Sequence, residues 1–322
     1  MRVLVTGAGG FLGRKLARSL VETPQIRGRQ IGEAVLTDLF APPVPEGAAF
    51  PIRAVACDLS WQPSVMGLFA GGFDAIFHLA GAVSGECEAD FDLGMRANLQ
   101  GGINMLEAAR ASGRRPVFVA TSSWAAHGGE APEVITDDTP ANPQTSYGTQ
   151  KVMIEYLITD MSRRGFIEGA ALRLPTVTIR AGKANQAASG FMSSIFREPL
   201  QGQSANCPVP RDFPVWHSPP RIVVRNIRHA AELSAEAWGT NCAINLPGRT
   251  DTIGEMIDAM TRVAGPEPAS RITWEADPFI EEIVKLWRAH GDTARALSMG
   301  FEAPRGFEDS VRWFLEDDIA RP

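Results

Sequence analysis

The strongest constraint on the fold is a glycine-rich turn directly after the first apolar run. The run Val3-Leu4-Val5 is followed by Thr6-Gly7-Ala8-Gly9-Gly10-Phe11-Leu12-Gly13, and a helical pattern begins at Leu12. Glycines at positions 7, 10 and 13 allow a tight turn and a close approach of the backbone to a ligand. Because the N-terminal amides of the helix point at the same place, the pattern predicts a pyrophosphate-binding turn. A turn needed only for packing is the alternative.

Short apolar runs and longer helical patterns alternate through the first half of the chain. Strands are predicted at Val3–Thr6, Ala34–Asp38, Ile52–Cys57, Ala75–Leu79, Val117–Thr121 and Gly169–Leu174. Helices are predicted at Leu12–Glu22, Val65–Ala70, Met95–Ser112 and Ser146–Arg164. This order predicts an α/β fold with a doubly wound parallel sheet of the Rossmann type.

The composition changes after Pro175. Residues 182–220 are rich in Gly, Pro, Ser, Asn and Gln, which is typical of a segment that shapes a binding site. Elements predicted from here on are helices at 190–197, 227–238, 253–264 and 307–317 and a strand at 242–246. We therefore expect a cofactor-binding domain over 1–174 that also receives about 222–250, and a smaller, discontinuous C-terminal substrate lobe over 175–221 and 251–322.

Charge and composition limit the class of partner. The formal net charge of −6 offers no basic footprint for a nucleic acid or an anionic membrane, so a small-molecule substrate is favoured. The four cysteines are widely spaced and indicate neither a zinc site nor a disulfide framework, and we expect no metal. No apolar leader and no apolar run of about 18 residues is visible, so we expect a cytoplasmic protein.

Residues at the ends of predicted strands are candidates for cofactor binding. A carboxylate at Asp38 can accept hydrogen bonds from ribose hydroxyls and would repel a 2′-phosphate, which favours NAD over NADP. A solvated aspartate at a strand end is the alternative. Two further groups are expected to flank the adenine and to line the centre of the cofactor: Asp58 and Leu59, and Leu79, Ala80 and Gly81.

A tyrosine and a lysine form the most specific chemical signal. Tyr147 and Lys151 lie four residues apart in a predicted helix, so both side chains occupy one face. The chain has only two tyrosines and four lysines, which makes a chance pair rare. A tyrosine hydroxyl is a poor base at neutral pH, but a neighbouring ammonium stabilises the phenolate. Tyr147 and Lys151 are also expected at the cofactor, where Lys151 would hold the nicotinamide ribose. The alternative is that the two residues are an ordinary pair, four residues apart, on a solvent-exposed helix.

Two serines end the fifth predicted strand. At this edge of an open sheet, the hydroxyl of Ser123 can bond to a substrate oxygen on which charge develops. Ser122 is placed nearer the cofactor. A serine that only caps its own turn is the alternative.

The motifs together resemble the extended short-chain dehydrogenase/reductases, also called the NAD-dependent epimerase/dehydratase family. The matching residues follow the family order over nearly the whole chain: Gly7, Gly10 and Gly13; Asp58; His78-Leu79-Ala80-Gly81; Asn98; Thr121-Ser122-Ser123; Pro140, Pro143 and Ser146-Tyr147-Gly148 with Lys151; Arg173 and Pro175. The resemblance implies a Ser/Tyr/Lys catalytic set, NAD as cofactor, and Asn98 as a buttress near the site. It also places Phe11, Leu12, Pro175 and Thr176 at the cofactor. A homodimer built on helices 95–112 and 146–164 is implied by analogy.

Departures from the family pattern bear on the substrate. Members that act on nucleotide sugars usually carry an asparagine and a Gly-Pro turn after Arg173, whereas this chain reads Leu174-Pro175-Thr176-Val177-Thr178-Ile179-Arg180. The usual Val-Tyr-Gly after the catalytic serine is replaced by Ala125-Ala126-His127-Gly128. Segments 83–86, 180–191 and 216–221 instead resemble a subgroup that oxidises the four-carbon sugar acid D-erythronate at its 2-hydroxyl with NAD.

That subgroup implies a small sugar acid as substrate and an arginine that binds its carboxylate. The residues assigned to substrate binding are Ser84, Ser123, Tyr147, Arg180, Asn185 and Arg221. Arg180, Arg197 and Arg221 are candidates for the anchor, and their order stays open, as does a solvated or ion-paired role for each. Two other functions remain as alternatives: a nucleotide-sugar epimerase or dehydratase, and a non-catalytic NAD-sensing protein.

Overall fold

A computed structural model describes residues 1–182, 190–278, 280, 284 and 287–319. The chain divides into two compact units. The first unit consists of residues 1–126, 145–173 and 224–244, and the second of residues 127–144, 174–223 and 245–322.

The strands are short and mostly separated by helices. In chain order they are β1 (Arg2–Thr6), β2 (Gln25–Ile26), β3 (Arg29–Gln30), β4 (Glu33–Asp38), β5 (Ile52–Ala56), β6 (Ala75–His78), β7 (Val117–Ser123), β8 (Val134–Ile135), β9 (Glu168–Leu174), β10 (Thr176–Val177), β11 (Ala205–Asn206), β12 (Pro214–Ser218), β13 (Ala243–Asn245), β14 (Arg249–Thr252), β15 (Ile272–Thr273) and β16 (His290–Gly291).

The α-helices of the described residues surround these strands in sequence. They are α1 (Phe11–Glu22), α2 (Gln62–Leu68), α3 (Ser84–Ala89), α4 (Phe91–Gly94), α5 (Gly101–Ala111), α6 (Ser146–Arg163), α7 (Phe191–Leu200), α8 (Pro220–Glu232), α9 (Ala235–Trp238), α10 (Ile253–Ala264), α11 (Pro266–Ala269), α12 (Ala294–Ser298) and α13 (Phe307–Phe314). Two π-helical segments lie at Met95–Gln100 and Leu315–Ile319, and a 3-10 turn lies at Trp124–Ala126.

The main sheet has seven strands in the order β13-β9-β7-β6-β1-β4-β5. The described registers β1 with β4 and β6, β4 with β5, and β6 with β7 are all parallel. Helices cover such a sheet on both faces, so its central strands are apolar throughout, and all four residues of β6 are buried. The predicted doubly wound α/β fold is confirmed, and β13 joins the six strands expected.

Strand order reverses between β1 and β6, which is the switch point where an open α/β sheet leaves a crevice. The glycine turn follows β1 and Leu79 follows β6, so both predicted cofactor segments lie at this crevice. The backbone N–H of Leu79 bonds to the carbonyl of Thr6 at 3.2 Å. The topology therefore brings together segments that are more than seventy residues apart in the chain.

The second unit is built on a smaller sheet and its own apolar core. Strand β12 pairs in parallel with β10 and antiparallel with β14. Its core is formed by side chains from α7, α10, α13 and the segments around them, among them Met192, Phe196, Met256, Met260 and Phe307.

The structure corrects three sequence-based boundaries. Residues 127–144, predicted within the domain 1–174, group with the second unit, because β8 pairs with β16 and the Nε2 atom of His127 lies 3.1 Å from the Oδ1 atom of Asn245. The helix predicted at 227–238 is instead two helices, since Ser234 between them is extended. The helix predicted at 65–70 begins earlier, at Gln62, with a proline in its first turn.

Candidate active site

The glycine turn after β1 has no room for side chains. Gly7 has a φ of +69°, and a Cβ atom there would lie 2.6 Å from the backbone nitrogen of Ala80. A Cβ atom on Gly13 would lie 2.1 Å from the carbonyl oxygen of Gly7. Gly10 is the N-cap of α1 and supplies no side-chain bond to the first turn, which holds Phe11 and Leu12. The helix N-terminus is therefore open toward the crevice, which fits a pyrophosphate group.

The carboxylate of Asp38 lies against this turn. Its Oδ2 atom accepts a hydrogen bond from the Gly9 N–H at 3.0 Å, and its Oδ1 atom accepts one from the Leu39 N–H at 2.8 Å. A Cβ atom on Gly9 would come within 3.0 Å of Oδ2. A carboxylate fixed beside a phosphate-binding turn suits ribose hydroxyls and opposes an additional phosphate, so the residues present fit NAD.

The side chain of Asp58 caps its own loop, and the carbonyl of Leu59 bonds to helix α5. The Oδ1 atom of Asp58 accepts bonds from the Ser60 N–H at 2.9 Å and the Ser60 hydroxyl at 2.7 Å, which is a side-chain-capped turn. Leu59 is buried, and its carbonyl accepts a bond from Asn104 at 2.8 Å. Both residues follow β5, next to β4 and Asp38 in the sheet. Their contact with an adenine ring stays a prediction.

Asn98 and Lys151 lie against the loop that follows β6. A Cβ atom on Gly81 would lie 2.6 Å from the Oδ1 atom of Asn98 and 3.4 Å from the Nζ atom of Lys151. The side chain of Asn98 accepts a bond from the Ala82 N–H at 2.8 Å and donates one to Gln150 at 2.9 Å. These bonds hold the loop to α6, which supports the predicted buttressing role of Asn98.

Tyr147 and Lys151 occupy one face of α6, as their spacing predicts. The helix begins at Ser146 because the side chain of Thr145 caps it, accepting a bond from the Gly148 N–H at 3.0 Å. The ammonium of Lys151 lies 5.6 Å from the centre of the Tyr147 ring. It donates to the carbonyl of Thr121 at 3.1 Å, which ties the helix to the end of β7.

Ser123 is the last residue of β7, two positions beyond Thr121. Its hydroxyl oxygen accepts a bond from the Ala125 N–H at 3.1 Å, so it caps the following turn. A hydroxyl that accepts one bond can still donate another, and capping leaves the proton of Ser123 available for a substrate oxygen. The hydroxyl of Ser122, by contrast, donates to the buried carboxylate of Glu155.

Lys151 is a buried cation that lines a small cavity of the first unit. It is 9% exposed, and burial lowers its pKa to about 8, while Cys87 and Glu155 oppose that shift. His78 lines the same cavity, and burial together with the charge of Lys151 lowers its pKa to about 3, so the imidazole is neutral. The one fixed carboxylate among the described residues that line this cavity is that of Glu155.

Glu155 and its bond to Arg173 are not among the features predicted from the sequence. The signal was present, because Glu155 follows Lys151 by four residues and must share its helix face. Arg173 was noted only as part of a motif, and the structure places it against Glu155 with 2.7 Å between Nη2 and Oε2.

The remaining candidates lie in both units. Ser84 begins α3 in the first unit. In the second unit, Pro175 is buried, Thr176 begins β10, and Arg180 is held through its backbone by Ser193 and Arg197. The guanidinium of Arg221 is paired with Asp317 at 2.7 Å and Glu316 at 2.8 Å. Asn185 lies outside the described residues. Among those residues, no group of three metal-binding side chains occurs, and no helix is long and apolar enough to span a membrane.

The glycine turn provides a direct test of the cofactor site. We expect Gly13→Ala to weaken NAD binding by about tenfold or more, because the added Cβ must displace the Gly7 carbonyl. Gly67→Ala is the matched control, since a Cβ atom there meets nothing within 4 Å in helix α2. Titration calorimetry with NAD measures both, and unchanged affinity in Gly13→Ala would contradict the assignment.

The buried ammonium predicts a specific pH dependence of stability. The pKa of Lys151 falls from 10.5 to about 8 on folding, so between these values the unfolded chain binds more protons than the folded one. The free energy of unfolding of the unmodified protein, minus that of Lys151→Met, should therefore rise by about 2–3 kcal/mol between pH 8 and 10.5. Urea unfolding at several pH values measures this difference. Lys15→Met is the control, because Lys15 is partly exposed, and a flat difference for Lys151→Met would contradict the burial argument.

Comparisons with known proteins show which family the chain resembles. The NAD dependent epimerase/dehydratase family matches residues 3–218. A D-erythronate dehydrogenase from Cupriavidus necator is 44% identical over 98% of this chain and 98% of its own length. A second D-erythronate dehydrogenase, from Haemophilus influenzae, is 40% identical over 99% of this chain and 100% of its own length.

A solved structure is also similar over the full chain. It is described as the nucleoside-diphosphate-sugar epimerase from Agrobacterium tumefaciens, with a TM-score of 0.95 and 40% identity over 100% of this chain and 95% of that one. The family resemblance of the sequence is thus confirmed. The chain belongs to the NAD-dependent epimerase/dehydratase family and is an NAD-dependent oxidoreductase.

Proposed function

We propose that the chain is a dehydrogenase that oxidises the 2-hydroxyl of a small sugar acid, such as D-erythronate, to the 2-keto acid. The observation that carries the proposal is the full-length similarity to two proteins named D-erythronate dehydrogenase, at 44% and 40% identity. Because that similarity covers both units, it includes the second unit, where most of the residues that distinguish substrates within the family are expected.

The first unit provides suitable chemistry for this oxidation. When bound, NAD⁺ accepts the hydride from the carbon that bears the hydroxyl. Tyr147 takes the hydroxyl proton, and the cation of Lys151 favours the phenolate that can do so. Ser123 donates to the same substrate oxygen and holds it while the carbon–oxygen double bond forms. The products are the 2-keto acid, NADH and one proton, which Tyr147 releases to solvent.

A sugar acid requires a group that binds its carboxylate. An arginine can do this with two parallel hydrogen bonds. Arg221 already binds the carboxylates of Asp317 and Glu316, so a substrate would have to displace them. Arg197 is buried and bonded to Glu198 and to the carbonyl of Arg180. We retain Arg180 and Arg221 as anchor candidates, with Ser84 and Asn185 as further substrate contacts.

The second candidate function is nucleotide-sugar epimerisation. It is favoured by the structure from Agrobacterium tumefaciens described as a nucleoside-diphosphate-sugar epimerase, which is 40% identical to this chain. An epimerase returns the hydride to its substrate and recycles its bound cofactor, whereas a dehydrogenase releases NADH. Net NADH formation therefore separates the two functions.

The homodimer implied by the family resemblance is kept as part of the proposal. Helix α6 exposes Met153 and Tyr156, which are 44% and 67% exposed, and these apolar surfaces are of the kind that a dimer covers.

The proposed reaction is tested by offering the protein NAD with D-erythronate and other four- to six-carbon aldonic acids. We expect NADH absorbance to rise with at least one acid, and to stay flat with UDP-glucose in a parallel reaction. Epimerised UDP-sugar without net NADH would support the second function. No NADH with any acid would contradict the first.

The role of Tyr147 is tested against the other tyrosine of the chain. We expect Tyr147→Phe to lower turnover by about a thousandfold, because it removes the group that takes the proton. NAD affinity should change little. Tyr156→Phe is the matched control on the same helix, since Tyr156 is 67% exposed. Steady-state kinetics with the best acid measures both variants, and near-normal turnover in Tyr147→Phe would defeat the assignment.

A further inference from the structure

A buried ion pair lies one turn beyond Lys151 on the same face of α6. The Nε and Nη2 atoms of Arg173 lie 3.0 Å from Oε1 and 2.7 Å from Oε2 of Glu155, which is a two-bond pairing of guanidinium and carboxylate. The side chains are only 9% and 4% exposed. Both residues belong to the first unit, one on β9 and the other on α6.

Such a pair is a weak source of stability. Removal of two charges from water costs several kcal/mol per ion, by order of magnitude, and apolar residues of similar volume often stabilise a core as well or better. Ile154, Ile158 and Ala171 line the same cavity as Glu155, so apolar packing is available around it. Stability alone therefore does not explain the pair, and the contacts of Glu155 point to another role.

The first such contact is with the strand that carries the catalytic serine. The Ser122 hydroxyl donates to the Oε1 atom of Glu155, and Ser122 lies between Thr121 and Ser123. The carbonyl of Thr121 in turn accepts the Lys151 ammonium at 3.1 Å. Glu155 thus fixes the end of β7 through Ser122. This strand end carries Ser123 and also accepts the hydrogen bond of Lys151.

The second contact is electrostatic. The groups that face Lys151 are Tyr147 and Glu155 on α6, Cys87 on α3, His78 on β6 and the neutral Asn98. His78 is neutral, and burial raises the pKa of the Cys87 thiol, so that it is uncharged at neutral pH. Among the described residues that line this cavity, Glu155 therefore supplies the carboxylate that faces Lys151.

We propose that Glu155, clamped by Arg173, is a positioning residue that keeps Lys151 in its charged form and fixes the strand end that carries Ser123. Arg173 holds the carboxylate in place and limits its field. Without Glu155, the lysine would lose its proton at a lower pH, and the phenolate form of Tyr147 would lose its support. The effect on turnover rests on the proposed function, whereas the effect on Lys151 does not.

The test is Glu155→Gln, which preserves an oxygen for Ser122 and removes the charge. We expect the alkaline limb of the kcat/KM profile to move to lower pH by about one unit or more, with KM for NAD nearly unchanged. Asp160→Asn is the matched control, because it removes an exposed carboxylate from the same helix. A purely structural role would lower activity equally at every pH, and an unshifted alkaline limb would overturn the proposal.

A measurement without substrate separates the two proposals. The chain has four lysines, Lys15, Lys151, Lys183 and Lys285, so carbon NMR of lysine labelled at Cε yields few signals, and Lys151→Met identifies the relevant one. In Glu155→Gln, this signal should titrate at lower pH by about one unit or more. An unchanged titration overturns the positioning role, even if the acids are substrates. A shifted titration supports it, even if no acid is oxidised.

A second variant covers the case in which Glu155→Gln does not fold, since it leaves a buried unpaired arginine. The double variant Glu155→Leu with Arg173→Met removes both charges and retains the buried volume, so we expect it to fold. Its Lys151 signal should also titrate below that of the unmodified protein, because the nearer charge, the carboxylate, is lost. Circular dichroism checks folding, and a folded double variant with an unshifted Lys151 titration would overturn the proposal.

Discussion

The proposed site depends most on one ammonium group that is held almost out of water. Lys151 is 9% exposed, and its bond to the Thr121 carbonyl joins the longest helix to the end of a central strand. A cation in such a place is stable only if dipoles and a counter-charge replace the water it has lost. Because Tyr147 is one turn earlier on the same helix, the bond that satisfies Lys151 also sets the position of the phenol.

A second constraint is the absence of side chains where loops meet at the switch point of the sheet. Gly7 abuts the loop after β6, Gly13 abuts the carbonyl of Gly7, and Gly81 abuts Asn98. A Cβ atom at any of these positions would force its neighbour to shift, and at Gly7 and Gly13 that neighbour is backbone, so packing as well as any ligand favours glycine there. The N-terminus of α1 faces the crevice at this tightly packed turn. Packing and ligand binding therefore both require residues without side chains there.

Much of the fold and part of the site could be predicted from local patterns. Six of the seven strands of the main sheet follow from hydrophobic periodicity, and the pair Tyr147 and Lys151 follows from its spacing, because both signals act over a few residues. The placement of residues 127–144 could not be predicted, since it depends on a strand pairing with β16, about 150 residues away. The bond from Arg173 to Glu155 escaped for the same reason: it joins a strand to a helix, and only the tertiary fold determines the contact.

The bond between Asp38 and the Gly9 amide has a consequence for redesign of the cofactor preference. The carboxylate serves as a hydrogen-bond acceptor for the turn, and because its two oxygens accept several bonds, it can bind ribose hydroxyls while it keeps the bond from the Gly9 amide. A change to a phosphorylated cofactor would need more than removal of the negative charge. Removal of the Asp38 carboxylate would leave the Gly9 amide without its acceptor. A residue that replaces Asp38 would have to supply both an acceptor for the turn and a positive charge for the phosphate. The residue that favours NAD therefore also supports the glycine turn, and a single substitution at Asp38 is a poor route to reverse the cofactor preference.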